Sequence, residues 1–162
     1  MTALPIRLKL TRSLALCLLL CLSAATALSA AGCGATRTYE PDTTIVARVG
    51  HQTALERLRA VIGSATNPAV HKVDVTEELM AFEWMRGGYT SEIRFARIDS
   101  LDITSGSHTV TIRMRHLSEP YRFSFTREDD AHAFVDLLAS FHYESQGPAA
   151  RPLPVTRENE RL

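Results

Sequence analysis

Six histidines, His51, His71, His108, His116, His132 and His142, are the side chains of this 162-residue sequence best suited to holding a metal ion. Zinc chemistry needs ligands that converge, and on one helix this means spacing of three or four residues. No pair has the H-x₃-H or H-E-x-x-H arrangement. His132 and His142 fall in one predicted helix but stand ten positions apart, too far to share one small ion. The pattern assigns no metal site and treats the six as isolated surface or boundary histidines. Nucleophilic chemistry fares no better. There is no G-x-S-x-G, and Gly106-Ser107-His108 sits in a predicted hairpin, where glycine and serine serve the turn. Asp99 and Asp102 read as a turn device rather than a catalytic dyad. Gly87-Gly88 precedes a strand, not the helix that a phosphate loop requires. No catalytic residue and no cofactor is assigned, and the chain is expected not to be an enzyme.

One charged constellation remains. Arg113, Arg115 and Arg122 fall on adjacent predicted strands, on the face opposite the aromatic residues, and Arg94 and Arg97 extend the patch. Such a face suits an anionic lipid headgroup or an acidic partner. The competing reading is a solvated sheet surface whose arginines pair with Glu92 or Glu119, since exposed ion pairs are common and weak. Trp84 and Tyr89 are assigned to core or hairpin packing rather than to a ligand cage.

The cysteines carry an address. Met1–Arg12 holds Arg7, Lys9 and Arg12 and no acid, "SLALCLLLCL" is leucine-dense, and "SAATALSAAG" is mostly small. A basic start, an apolar middle and a small-residue exit make a secretory signal peptide. Residues 13–32 are long enough to span a bilayer. Their second half is only weakly apolar, however, and no basic stop-transfer cluster follows. Ala30-Ala31-Gly32-Cys33 resembles the lipobox of bacterial lipoproteins, with Ala30 where that family most often has leucine. The resemblance implies that Cys33 becomes the first mature residue, carrying a diacylglycerol on its thiol and usually a third acyl chain on its amine. Gly34, which is not Asp, then implies the periplasmic side of an outer membrane. The rival is ordinary cleavage after Ala25-Thr26-Ala27 or Leu28-Ser29-Ala30, which leaves Cys33 free. Cys17 and Cys21 lie in the segment to be removed, so Cys33 would stand alone in an oxidising compartment, where an unpaired thiol is a liability. Lipidation removes that liability, and two or three acyl chains at about 0.8 kcal/mol per buried methylene give a stable anchor.

From Cys33 onward the chain suits one domain. The full sequence balances 18 basic against 18 acidic residues; with Arg7, Lys9 and Arg12 removed, the mature chain is slightly acidic. That excludes the strongly basic footprint of a general nucleic-acid binder.

The elements that position these residues follow from periodicity. Residues 33–50 are assigned to a lipidated N-terminus and tether, with a brief strand at Ile45–Val49. "TALERLRAVIGSATNP" reads as a helix, with Thr53 and Glu56 in capping-box spacing and Leu55, Leu58 and Ile62 on one face. Then the period changes to two. Val73 and Val75 alternate with polar residues, as do Met80, Phe82 and Trp84, then Ile93 and Phe95, Leu101 and Ile103, Val110, Ile112 and Met114, and finally Tyr121, Phe123 and Phe125. Turns this short allow only an antiparallel meander. "TREDDAHAFVDLLASFHY" predicts a closing helix. Thr126 is its candidate N-cap, Glu128, Asp129 and Asp130 fill its first turn, and Ala131, Phe134, Val135, Leu138 and Phe141 form its apolar stripe. Residues 146–162 lack a core pattern and read as a disordered tail.

The fold class expected is therefore α+β, a meander of five to seven strands followed by a C-terminal amphipathic helix. In "EIRFARIDSLDI", "HTVTIRMR" and "YRFSFTREDDAHAFVDLLASF" this order resembles the pleckstrin-homology-like (PH-like) superfold. Over about Val70 to Tyr143 the resemblance implies a bent, partly open barrel plugged by the last helix, within a PH-like α+β domain assigned to residues 51–145 whose first helix is an N-terminal addition to the pattern; some members bind phospholipid headgroups. The alternative is an open antiparallel sheet with both helices on one face. The functional expectation is an envelope lipoprotein, tied to the membrane by its acyl chains, acting as a non-enzymatic protein-binding or scaffolding module for another envelope protein. The alternatives are a binder of anionic lipid headgroups or small ligands, and an enzyme with a cryptic site.

Overall fold

The computed structural model describes residues 37–85, 87–147 and 151–159, so the signal segment and Cys33 lie outside the described residues. The domain is α+β. Two antiparallel meanders follow one another in the chain. The first comprises β2 (Val70–Val75), β3 (Leu79–Trp84) and β4 (Thr90–Arg94) and forms a three-stranded sheet. The second comprises β5 (Ile98–Ser105), β6 (Thr109–Met114) and β7 (Tyr121–Ser124). It belongs to a five-stranded sheet in the order β1-β8-β5-β6-β7, where β1 is Arg37–Thr38 and β8 is Val155–Asn159. A single turn of 3-10 helix, Phe95–Arg97, passes the chain from one sheet to the other. The sheets do not close into a barrel; an isolated bridge between Asn67 and Ser124 links the segment before β2 to β7.

The alternation of apolar residues translates directly into burial. Met80, Phe82, Ile93, Leu101, Ile103, Val110, Ile112 and Phe123 are all buried. The aromatic rings interlock across the core. Phe82 meets Phe123 edge-on with centroids 5.4 Å apart, and Phe123 meets Phe134 of the last helix at the same distance. Aromatic pairs in such geometry add roughly 0.5–1.5 kcal/mol beyond area burial. That helix, α3 (Glu128–Gln146), buries Ala131, Phe134, Val135, Leu138 and Phe141, the stripe read from its sequence. It opens on three acids, which favour the positive end of the helix dipole. Its N-cap is Arg127 rather than Thr126, and Gly147, at φ +77°, ends it.

Four readings of the sequence are corrected. Ile45–Val49 is not a strand but a short helix, α1, whose Val46 amide donates to the buried Ser140 hydroxyl at 3.1 Å. That hydroxyl in turn donates to the Thr43 carbonyl at 2.9 Å. Residues 37–50 are thus docked on α3 rather than forming a free tether. Helix α2 (His51–Gly63) has Gly50 as its N-cap, so Thr53 lies inside it and no capping box forms. Finally, the segment assigned to a disordered tail contributes β8, which pairs parallel to β5 from Leu101↔Val155 to Ser105↔Asn159.

Candidate functional site

The β3–β4 hairpin ends in a turn that exposes apolar side chains. Met85 is 62% exposed and Tyr89 74%, and Leu117 in the β6–β7 turn is 52% exposed. Between them stands Trp84, half-buried. Its indole stacks nearly parallel to Phe123 at 6.1 Å and meets Phe82 edge-on at 4.9 Å, while its Nε1 donates to the Ser91 hydroxyl at 2.7 Å. The ring is therefore held by Phe123, Phe82 and Ser91 and lines two clefts. One of about 520 Å³ is lined by Thr66, Asn67, Pro68, Ala69, Trp84 and Met85. The other, of about 400 Å³, runs past Leu117, Pro120, Tyr121 and Arg122. Gly87, at φ +105°, shapes the hairpin tip: a Cβ there would stand 2.9 Å from the Tyr89 ring. Of the core or hairpin packing expected for these two residues, Tyr89 has the hairpin kind, its exposed ring lying against the Gly87 turn, and Trp84 packs on the core rings of Phe82 and Phe123.

A third cleft, of about 450 Å³, joins the start of α2, the β2–β3 turn, the 3-10 turn and the end of α3, with His51, Glu77, Arg94, Arg97, Phe141 and Glu144 among its walls. Its charges answer one another. The His51 ring lies between two carboxylates, with Nε2 3.0 Å from Glu144 and Nδ1 3.6 Å from Glu77, and Arg94 is paired with Glu92.

The arginine face exists, but it is not of one sign. Arg113 on β6 reaches Asp102 on β5 at 3.2 Å, and Arg115 reaches Asp99 at 3.9 Å. The two aspartates assigned to a turn are strand residues that answer the arginines. Of the expected carboxylate partners Glu92 pairs with Arg94, while Arg113 and Arg115 pair with these aspartates rather than with Glu119. Arg122, on β7, is exposed.

The remaining histidines are dispersed. Among the described residues no group of three or more His, Cys, Asp or Glu is placed to hold a metal ion. His142 is fully enclosed rather than at a boundary, and burial lowers its pKa. His132 stacks on Tyr39 at 4.8 Å. The Tyr39 hydroxyl donates to Asp136 at 2.8 Å, and burial, reinforced by that carboxylate, raises its pKa well beyond the usual phenol range. Among the described residues no helix is long and apolar enough to cross a membrane.

No family model, curated protein or solved structure matches this chain. The candidate site therefore rests on its own geometry. The apolar end around Trp84 was missed as a surface. Its signal was present in Met85 and Tyr89, large apolar residues on either side of a Gly-Gly turn, where a hairpin tip must leave them in water.

Proposed function

We propose that this protein is an envelope lipoprotein, anchored by acyl chains on Cys33, whose domain binds another envelope protein through the Trp84 end. The observation that carries the binding reading is the exposure of Met85, Tyr89 and Leu117 around a rigidly held Trp84. Large apolar side chains left in water at one end of a small domain are what a contact surface presents. Tryptophan, tyrosine and methionine are the residues that such surfaces concentrate, with tryptophan and tyrosine strongest as energetic anchors. The two clefts beside the indole give a partner's side chains somewhere to enter. The anchoring reading is supported by the basic start, the leucine run and the small residues before Cys33. Only residues 34–36 separate that cysteine from β1. The headgroup-binding alternative has less support, because Asp102 and Asp99 already answer Arg113 and Arg115.

A photo-crosslinking amino acid at position 89, compared with one at exposed Gln52 on α2, tests the reading in cells. The expected result is a discrete higher-mass adduct at 89 that is absent at 52 and is lost when Trp84→Ala is added. The same adducts at both positions, or none at 89, would remove the Trp84 end as the binding surface.

A further inference from the structure

The five-stranded sheet contains one strand that differs from the others. Among the described residues β8 is the last element, it runs parallel to β5 in a sheet whose other pairings are antiparallel, and on its far side it pairs only with the two-residue β1. Among the side chains described in this segment, Leu153 on the approach and Val155 in the strand belong to the apolar core.

What holds it otherwise is polar. The Leu101 amide donates to the Pro154 carbonyl at 3.0 Å, and the Tyr39 amide to the Val155 carbonyl at 3.3 Å. The half-buried Arg157 donates from Nε to the Ser105 hydroxyl at 2.7 Å and pairs through Nη2 with Glu128. Glu128, His132 and Asp136 recur every four residues, so they form one polar stripe along α3, distinct from its apolar stripe. That stripe receives Arg157, the Tyr39 ring and the Tyr39 hydroxyl in turn. The Nε2 of His132 is buried there without a hydrogen-bond partner. An interface of polar contacts with two apolar anchors resembles a contact between separable parts more than a domain core.

We propose that the β5 edge, together with the Glu128 end of α3, is a receptor groove for an extended peptide, and that the chain's own C-terminal segment occupies it as an exchangeable ligand. The occupant it fits is a strand from a partner protein with two aliphatic residues two positions apart, followed two positions later by arginine. Strand alternation places such residues on one face, as Leu153, Val155 and Arg157 are placed here. Main-chain pairing to β5 supplies affinity, and the aliphatic sites and Glu128 supply specificity, as in strand addition generally. The groove is separate from the Trp84 end, so failure of the cross-linking at position 89 leaves this proposal standing, and the reverse holds.

The test cuts the folded full-length chain at a protease site inserted between Gly147 and Arg151 and adds a fluorescein-labelled peptide of residues 151–162. The expected result is saturable binding of the labelled peptide as it replaces the cleaved segment, with the domain's circular dichroism retained. Val155→Asp or Arg157→Glu in the peptide should weaken binding by about tenfold or more, since each leaves a buried or charged partner unmatched. Glu128→Arg in the domain should weaken the wild-type peptide and restore the Arg157→Glu peptide. Three results would overturn the proposal: a nicked domain that unfolds or never exchanges its segment, a scrambled peptide that binds equally well, or an uncut chain that forms a concentration-dependent dimer displaced by the peptide. The last would assign the groove to a second copy rather than to a partner.

Discussion

Nδ1 of His142 donates to the carbonyl oxygen of Phe95, 47 positions earlier, across 2.7 Å. The bond ties the last turns of α3 to the 3-10 turn that joins the two sheets, and Phe141 stacks on Phe95 beside it with centroids 5.0 Å apart. The imidazole is enclosed with that proton in place.

A pH dependence follows. Burial holds the His142 pKa below its ordinary value of 6.5, nearby Arg115 adds to the depression, and the Phe95 carbonyl partly opposes both. The unfolded chain then binds more protons as pH falls through about 6.5. Stability is complete above that value and is lost as pH drops toward the lower folded-state pKa. His142→Asn keeps a donor near the Nδ1 position but cannot titrate. Urea unfolding at about pH 7.5 and about pH 5.5 should show a smaller loss for the variant than for wild type. Equal losses would show that another group controls the acid side.

The last helix is expected to be indispensable. Phe134 is fully buried and touches Phe123 and Phe125. Truncating such a ring costs about 3–5 kcal/mol, against about 5–15 kcal/mol for a whole domain. Phe134→Ala should lower the melting temperature steeply, while Arg151→Ala, at an exposed position, should leave it near wild type. Similar melting temperatures for both would contradict this packing.

Removing the arginines of the outer sheet face should have little consequence. Arg113 is 57% exposed, and an exposed ion pair contributes at most about 1 kcal/mol. Arg113→Ala combined with Arg122→Ala should fold normally. Flotation of a soluble form starting at Ala35 with anionic liposomes should recover neither protein with the vesicles. Salt-sensitive flotation of the wild type, absent in the double variant, would promote the headgroup-binding reading.

The anchor is tested at Cys33. Cys33→Ser should leave the protein as an uncleaved precursor or release it from the membrane. In a detergent phase separation the wild type should enter the detergent phase. Its recovery in the aqueous phase would sink the anchoring proposal.

Legibility in the sequence tracked the range of the interactions. Met80, Phe82, Val110 and Ile112 show a period of two over several residues, and Phe134, Leu138 and Phe141 a helical period over three turns. Each pattern is local, repeated and tied to one buried face, so the strands, the closing helix and most of the core follow from the amino-acid order. The signal segment is a matter of composition and needs no fold at all. What tertiary structure decided lay where a segment was too short or too interrupted to choose alone. Ile45–Val49 has five residues and suits strand or helix; the Ser140 hydroxyl, 94 positions away, accepts its amide and α1 forms. Pro152 and Pro154 break the pattern of the C-terminal segment and hide the alternation of Leu153 and Val155, and only the free edge of β5 supplies the ladder that makes β8. His142 is a polar residue beside an apolar stripe, and nothing local says that the Phe95 carbonyl waits to satisfy it. Tyr89 shows the converse: its type favours burial, but the turn at Gly87 carries it beyond the reach of either sheet. In each case the deciding partner is dozens of residues away or is missing, and sequence spacing carries no record of either.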